Sequence, residues 1–212
     1  MGATVLSGAG ISIAPATPDQ IPGIVQLHQA TLGYSLNSRL GSEHLHYLYA
    51  RLMAHPASLV AAASVNGSLA GVVSATLDLK TLTPWIYAGL NPGGWAAYAI
   101  RMLVRPGIWP LAWEAAHTPH TLQWQGETVR PCLTVITVAP EARQLGVGRA
   151  LVEAVDNFVW HNQQATYWLE TLTTNKTAQA FYARLGFVIV GQHRTTLYLA
   201  RRCLNPNSTP ES

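Results

Sequence analysis

The stretch VITVAPEARQLGVGRAL, residues 135–151, runs from β-branched residues through a basic turn with two glycines into a helical pattern. Gly146 and Gly148 allow a ligand to approach the backbone closely, and the free amides and positive dipole end of a helix start attract an anion. Arg143 and Arg149 add formal charge. The stretch therefore predicts a strand, a pyrophosphate-binding turn and a helix, although two glycines at a helix start are also ordinary turn chemistry. It lacks the G-x-x-x-x-G-K of a nucleoside triphosphate loop and the third glycine of a dinucleotide fingerprint.

A second stretch, NKTAQAFYARLGF at residues 175–187, follows after a predicted helix and strand. Together with P-x-x-R-Q-x-G-V-G-R-A-L it resembles the two signature motifs of the GNAT superfamily of N-acetyltransferases. The resemblance is close from about Leu133 to Val190, extends less closely over Ile11 to Thr76, and does not cover the segment between. It implies an α/β (α+β) fold with a mixed central sheet, two splayed parallel strands and flanking helices.

The same resemblance implies acetyl-CoA as acyl donor. Backbone groups of Ile136, Thr137 and Val138 should line the pantetheine arm at the splay, and Asn175 should hydrogen-bond the pantetheine side of the cofactor. The implied pyrophosphate-binding residues are Arg143, Gln144, Leu145, Gly146, Val147, Gly148 and Arg149. Gln144 departs from a frequent arginine of the family, but Arg143 keeps the turn basic.

Glu170 is the one acidic residue between Glu127 and Arg184 that falls within a predicted core strand. A carboxylate on a buried strand is costly without partners. The W-L-E segment before Asn175, with Tyr182 after it, is similar to ribosomal-protein alanine N-acetyltransferases, in which the matching Glu and Tyr are the base and the acid. The alternatives are that Glu170 accepts hydrogen bonds from the sheet edge or an arginine, and that Tyr182 only packs.

Sequence patterns outside these motifs predict the order β, α, α, β, β before the inserted segment. A capping box at Thr17 starts the first helix, after a short strand near Ile11, and Asn66-Gly67 predicts a tight turn between two strands. The first helix begins at Pro18 and stops at Gly33, and the second is capped by Ser42 and ends before Pro56. The other predicted elements are strands Leu59–Val65, Leu69–Leu77 and Cys132–Val138, a helix Gly146–His161, a strand Thr166–Leu172, a helix Thr177–Leu185, and strands Phe187–Val190 and Thr195–Leu199. The sequence thus predicts a single domain over residues 1–204 and a flexible tail over 205–212.

The segment from Asp78 to Pro131 has a different character, because it holds five of the seven tryptophans among several prolines. We expect a helical insertion between the third and fourth strands. We expect most of its tryptophans to form the core of a small subdomain. The insertion could instead be a lid over the acceptor cleft, a dimer interface or, with Arg101 and Arg105, a surface that rests on a membrane, although the sequence disfavours a membrane partner. The loop between the first two helices could bind the acceptor or be an ordinary connection. Its polar residues are Tyr34, Ser35, Asn37, Ser38 and Arg39.

Composition narrows the function classes. Of 212 residues 49% are hydrophobic and 11% charged, with a mean hydropathy of +0.14, which argues against intrinsic disorder. The net charge of +3 is scattered, which disfavours nucleic acid as a partner, and 10 scattered acids disfavour polycationic acceptors. The first residues lack a basic signal-peptide region and no apolar run spans a membrane, so we expect a cytoplasmic protein.

Two cysteines and eight histidines show no zinc spacing, so the sequence predicts no metal. His117 or His120 could act as an alternative base, and Cys132 is expected to be inert rather than an acyl carrier. The sequence therefore predicts an acetyl-CoA-dependent N-acetyltransferase that acylates a primary amine of a small molecule or peptide in a direct ternary complex. A homodimer is compatible with this prediction. The alternative is a non-catalytic acyl-CoA-binding module that mediates protein association.

Overall fold

A central eight-stranded sheet organises the chain in the computed structural model, which describes residues 4–6 and 10–203. Its strands are β1 (Thr4–Leu6), β2 (Ile11–Pro15), β3 (Ser58–Val65), β4 (Ser68–Thr76), β7 (Cys132–Val138), β8 (Thr166–Leu172), β9 (Val188–His193) and β10 (Thr196–Arg202). They lie in the order β1-β2-β3-β4-β7-β8-β10-β9. Neighbours are antiparallel except β7 and β8, which run parallel.

Helices cover both faces of this sheet. They are α1 (Ile21–Leu32), α2 (Leu36–Leu40), α3 (Ser42–Ala54), α4 (Leu79–Ala88), α5 (Pro92–Val104), α6 (Trp109–Ala116), α7 (Val147–His161) and α8 (Lys176–Arg184). Val73 of β4 packs with α7 and α8, whereas the adjacent Val72 packs with α1, α3 and α4. Because successive side chains of a strand point to opposite faces, each face of the sheet has its own hydrophobic core.

The motifs predicted from sequence form the expected elements. Strands β7 and β8 have the predicted bounds, and Asn66 and Gly67 take the positive φ angles, 51° and 82°, of a tight hairpin turn. The Thr17 amide donates to Gln20 Oε1 at 3.0 Å, as the capping box predicts. The residues after Thr17 form a short 3-10 turn, however, and α1 begins at Ile21.

The structure contains three elements that the sequence did not predict. The expected loop between the first two helices contains α2, because the Ser35 hydroxyl caps it by accepting from the Ser38 amide at 3.3 Å. The insertion is helical, as expected, but ends in a hairpin of β5 (Leu122–Trp124) and β6 (Glu127–Val129). The short strand β1, which precedes the one expected near Ile11, was not predicted. The predicted tail over 205–212 lies outside the described residues.

The expectation that most insertion tryptophans form a small core is wrong. Trp95 is 52% exposed, and Trp109 and Trp113 are each 55% exposed. Neither α5 nor α6 has a fully buried side chain. Trp124 differs because the β5–β6 hairpin packs it against Trp168 of the main sheet.

Candidate active site

Strands β7 and β8 separate after a short parallel ladder. Among the described residues their pairing consists of Cys132 with Trp168 and Leu133 with Leu169. Both strands continue beyond this ladder, to Val138 and to the end of β8, without pairing to each other. The two strands therefore open a gap in the sheet at their carboxyl ends.

A β-bulge marks the point where the gap begins. Leu133 pairs with Ala75 of β4 and Val135 pairs with Ser74, so Thr134 is an extra residue in β7. The Thr134 hydroxyl bonds the Ser74 carbonyl at 3.1 Å and the Ser74 hydroxyl at 2.7 Å. Because a bulge bends its strand and ends regular pairing, this one accounts for the divergence of β7 from β8.

Beyond the bulge, alternate backbone groups of β7 face the gap. The Ala139 amide donates to the Ala70 carbonyl at 2.8 Å, which sets the alternation. The backbone groups of Ile136 and Val138 consequently face the gap, whereas those of Thr137 face β4. The Thr137 side chain is buried and its hydroxyl bonds the Thr31 hydroxyl. Of the three residues expected to line the gap with their backbone, the structure places Ile136 and Val138 there and Thr137 on the other side.

The turn after β7 ends in a helix start with free amides. Gly146 caps α7, and the first helical hydrogen bond runs from the Ala150 amide to the Gly146 carbonyl at 3.0 Å. The amides of Val147, Gly148 and Arg149 precede this bond and find no acceptor among the described residues. Unpaired amides at the positive end of a helix dipole suit an anionic ligand.

Each glycine of this turn is needed for a different reason. Gly146 has φ 90°, a left-handed conformation that side chains disfavour, and a Cβ there would have no atom within 4 Å. A Cβ on Gly148 would lie 3.1 Å from Cζ of Phe181, so Gly148 allows α7 to approach α8 closely. Gln144, at φ 68°, completes the tight path of the backbone.

The charges of the turn are positive and accessible. Arg143 is exposed and has no carboxylate partner among the described residues. Arg149 is also exposed, and its Nε donates to Glu153 Oε1 at 2.8 Å. Leu145 is 46% exposed beside them. Of the turn residues predicted to hold a pyrophosphate, those from Arg143 to Gly146 and Arg149 are exposed, whereas the Val147 side chain is buried and Gly148 is half-buried.

Asn175 has a structural role at the start of α8. Its Oδ1 accepts from the Ala178 amide at 3.1 Å and so caps the helix. An Asn at this position stabilises a helix by satisfying one of its free amides. The side-chain Nδ2 is the group left for the predicted contact with a ligand.

Glu170 lies on β8, next to the residues of the insertion that follow α6. It is exposed rather than buried, and among the described residues neither an arginine nor the sheet edge binds it. Its Oε2 accepts a hydrogen bond from the Thr118 hydroxyl at 3.3 Å. The Glu114 carboxylate lies nearby and accepts from the hydroxyls of Thr195, at 3.0 Å, and Thr196, at 2.6 Å.

The surroundings of Glu170 raise the pKa of its carboxyl group. The largest cause is partial desolvation by the surrounding protein, and the negative charge of Glu114 adds to it. The hydrogen bond from Thr118 acts in the opposite direction because it stabilises the ionised form. The carboxyl group is therefore a stronger base than an ordinary glutamate.

Tyr182 approaches from the opposite face of the sheet. Its ring contacts Phe181 and Phe187, with centroids 5.3 and 5.4 Å away, in the core that contains Leu169. Glu170 follows Leu169 in β8 and so points to the other face. The Tyr182 hydroxyl has no hydrogen-bond partner among the described residues. Burial, reinforced by Tyr34, raises its pKa, so the hydroxyl keeps its proton near neutral pH.

Sequence comparison matches residues 117–189 to the family model of the acetyltransferase (GNAT) domain. The match covers 73 of the 212 residues, and over that range the chain resembles a GNAT acetyltransferase domain. The matched range includes the basic turn, Glu170 and Tyr182, and leaves out most of the insertion. A search of curated proteins found no match.

Solved structures share the GNAT fold over nearly the whole chain. Ard1 from Thermoplasma volcanium is 16% identical, with a TM-score of 0.56, over 92% of this chain and 99% of its own. The PaiA N-acetyltransferase from Thermoplasma acidophilum, solved with coenzyme A, is 10% identical, with a TM-score of 0.59, over 91% of this chain and 98% of its own. The ribosomal-protein-S18-alanine N-acetyltransferase from Escherichia coli is 16% identical, with a TM-score of 0.54, over 94% of this chain and 99% of its own. These likenesses confirm the predicted fold.

Other nucleophiles and bases among the described residues are less suited to chemistry. Cys132 is buried, and burial, reinforced by Glu170, raises the pKa of its thiol well above the usual range. Burial also lowers the pKa of both His28 and His44 to about 4. His117 is exposed, with its Nδ1 bound to the Trp113 carbonyl at 2.7 Å.

Sequence analysis missed the residues that surround Glu170. Thr118 and Glu114 come from the insertion, 52 and 56 positions before it, and no motif marks them. It also missed the contacts of His44, which joins Asn37 of α2 to Tyr98 of α5 by hydrogen bonds. These contacts depend on how the insertion folds back, which a local pattern does not encode.

Proposed function

We propose that this protein transfers the acetyl group of acetyl-CoA directly to a primary amine of a small molecule or peptide, within one ternary complex. The GNAT domain supports acetyl-CoA-dependent N-acetyltransferase activity in general. The gap between β7 and β8 is the observation that carries the proposal, since it lies beside the free amides of α7 and has Glu170 and Tyr182 on its opposite faces.

The residues of the basic turn fit the phosphates of coenzyme A. The amides of Val147, Gly148 and Arg149 lack acceptors, and Arg143 has no carboxylate partner among the described residues. The gap-facing backbone of Ile136 and Val138 suits the amides of a pantetheine arm, and Asn175 Nδ2 could add a further hydrogen bond. When bound, acetyl-CoA supplies an activated acetyl thioester.

Three groups would carry the chemistry at the gap. Glu170, directly or through a water molecule, accepts the proton that the amine loses as its nitrogen bonds the acetyl carbon. The Val138 amide, which faces the gap, polarises the acetyl carbonyl. The Tyr182 hydroxyl gives its proton to the sulfur as the carbon–sulfur bond breaks. The raised pKa of Glu170 makes its carboxylate a stronger base, and the raised pKa of Tyr182 keeps its hydroxyl protonated near neutral pH.

We further propose that the insertion belongs to the same domain, since Thr118 and Glu114 form part of the surroundings of Glu170. A cytoplasmic location is proposed because Cys132 and Cys203 are unpaired thiols, which suits a reducing compartment.

The test combines binding with turnover. Acetyl-CoA should raise the melting temperature, and the protein should then release free coenzyme A thiol in the presence of amines from a panel of small molecules and peptide N-termini. A melting shift without amine-dependent thiol release from any class of amine would instead support the non-catalytic acyl-CoA-binding module.

A further inference from the structure

The solvent-facing side of α5 is entirely apolar. Every exposed residue of this helix is apolar, with Leu103 74% exposed, Val104 66% and Ile100 57%. The polar side chains of α5 contact α3 instead: Tyr98 bonds His44, and Arg101 pairs with Glu43. A surface helix normally has the opposite arrangement, with its polar residues toward solvent.

The α6 helix also exposes large apolar side chains. Trp109 and Trp113 are both 55% exposed, one helical turn apart, with Pro110 and Ala116 also exposed. The single charge of α6, Glu114, accepts hydrogen bonds from the hydroxyls of Thr195 and Thr196. The Trp109 indole bonds the Met102 carbonyl at 2.9 Å, so the start of α6 contacts α5. We call the exposed residues of α5 and α6 the docking face. Large exposed apolar side chains on neighbouring helices are typical of an interaction site.

The unpaired charges at the corner between α5 and α6 are basic, whereas Glu43, the exposed acid beside α5, is paired with Arg101. From Leu79 to Trp113 the sequence contains no acidic residue. Arg105, at the corner between α5 and α6, donates to the Arg39 carbonyl at 2.7 Å. Both arginines are exposed, and neither has a carboxylate partner among the described residues.

We propose that the docking face binds the surface of an anionic lipid bilayer. Tryptophan and aliphatic side chains would enter the headgroup region while Arg39 and Arg105 contact lipid phosphates. At 13 residues α5 is about 20 Å long, shorter than a hydrocarbon core of about 30 Å, so it would lie in the interface. None of the helices in the described residues is long and apolar enough to span a membrane.

The basic corner favours lipid over a second copy of the chain. In a two-fold symmetric contact the same patch meets itself. Arg39 and Arg105 would then approach their own copies, and the segment from Leu79 to Trp113 offers no acid to pair with them. An anionic bilayer supplies the missing negative charge.

Vesicle flotation of the full-length protein tests the proposal. The protein should float with phosphatidylcholine vesicles that contain phosphatidylglycerol, and less with phosphatidylcholine alone or at high salt. Leu103→Asp should lower the partition coefficient at least roughly tenfold. Arg105→Glu should weaken binding to the anionic vesicles, and Arg105→Lys should retain it. Ile189→Asp, at a site 60% exposed on β9, is the matched control and should bind like the unmodified protein.

Three results would overturn the proposal. The first is failure of the unmodified protein to float with anionic vesicles, and the second is equal flotation of the Leu103→Asp variant. The third is a dimer in light scattering that Leu103→Asp dissociates while vesicle binding is absent, which would assign the face to a second copy. Because neither readout involves turnover, failure here leaves the proposed acetyl transfer unaffected.

Discussion

The Glu170 carboxylate accepts a hydrogen bond from the Thr118 hydroxyl, 3.3 Å away, in the inserted segment just after α6. This contact joins the strand beside the gap to a part of the chain outside the two sequence motifs. The insertion therefore helps to set the electrostatic environment of the proposed base.

Replacing Glu170 by Gln should lower kcat by roughly 10²- to 10⁴-fold, because the variant cannot accept the amine proton. The substitution should not lower the stability of the folded protein. The raised pKa means that the ionised carboxylate is disfavoured in the folded state, so its contribution to stability is present at low pH and lost as the pH rises through the folded pKa. The melting temperature of E170Q at neutral pH should equal or exceed that of the unmodified protein. Unchanged turnover would exclude the role as base.

Substitutions of two neighbours of Glu170 should shift the pH profile of kcat/KM in opposite directions. Glu114→Gln removes a charge that raises the Glu170 pKa but keeps an acceptor for Thr196, so the acidic limb of kcat/KM should move to lower pH. Thr118→Val removes a hydrogen bond that lowers this pKa, so the limb should move to higher pH. The same amine is used with every variant, so the ionisation of the amine contributes equally to each profile. Shifts in the same direction, or none, would contradict Glu170 as the titrating base.

The strongest sequence predictions came from patterns that are local in the chain. The bounds of β7 and β8, the turn at Asn66-Gly67 and the helix start at Gly146 all depend on neighbouring residues. The bulge at Thr134 was not predictable, because it appears only when β7 is paired against β4.

Burial was harder to predict than secondary structure. The tryptophans of α5 and α6 were expected inside a core, since large aromatic residues usually gain by burial, yet they are exposed. Glu170 was expected to be buried because it lies in a strand between apolar residues, but β8 emerges from the core there as the two parallel strands diverge. Both errors involve tertiary placement, which hydrophobic periodicity does not determine.

Tyr182→Phe should lower kcat by roughly 10²-fold with little change in stability. The hydroxyl has no protein partner among the described residues, and the ring contacts with Phe181 and Phe187 remain. Tyr49→Phe provides the contrast, since its hydroxyl bonds His28 Nδ1 at 2.8 Å. That variant should lose about 1 kcal/mol of unfolding free energy and keep its turnover. Equal turnover of Tyr182→Phe and the unmodified protein would mean that Tyr182 only packs.

Gly146→Ala should weaken acetyl-CoA binding, because alanine strains the left-handed backbone that presents the α7 amides, at a cost of about 1–2 kcal/mol. Gly186→Ala is the matched control. Gly186 has a similar φ of 84° and, like Gly146, no atom within 4 Å of an added Cβ. Both variants should lose comparable stability in denaturant titrations, but only Gly146→Ala should raise the Kd for acetyl-CoA. A raised Kd in both variants would point to general destabilisation.

Asp156→Ala should lower the free energy of unfolding by about 3–5 kcal/mol, since it leaves the Arg201 guanidinium buried without its carboxylate. Asp156 Oδ2 accepts from Arg201 at 2.6 Å, with both side chains 3% exposed, and Oδ1 accepts from the Tyr167 hydroxyl at 2.9 Å. Glu153→Ala breaks the exposed ion pair with Arg149 and should cost less than about 1 kcal/mol. Urea titrations measure both. Equal costs would show that the buried pair is not a major stabilising contact.

The central claim is that the gap between β7 and β8 supports acetyl transfer from acetyl-CoA to an amine, with Glu170 as the base. The most direct measurement is the rate of coenzyme A thiol release by the unmodified protein and by E170Q across the amine panel, at matched acetyl-CoA saturation. We predict amine-dependent release by the unmodified protein that E170Q loses while it still binds acetyl-CoA. Release that depends on an amine but is equal in the two proteins, or acetyl-CoA binding without any release, would contradict the claim.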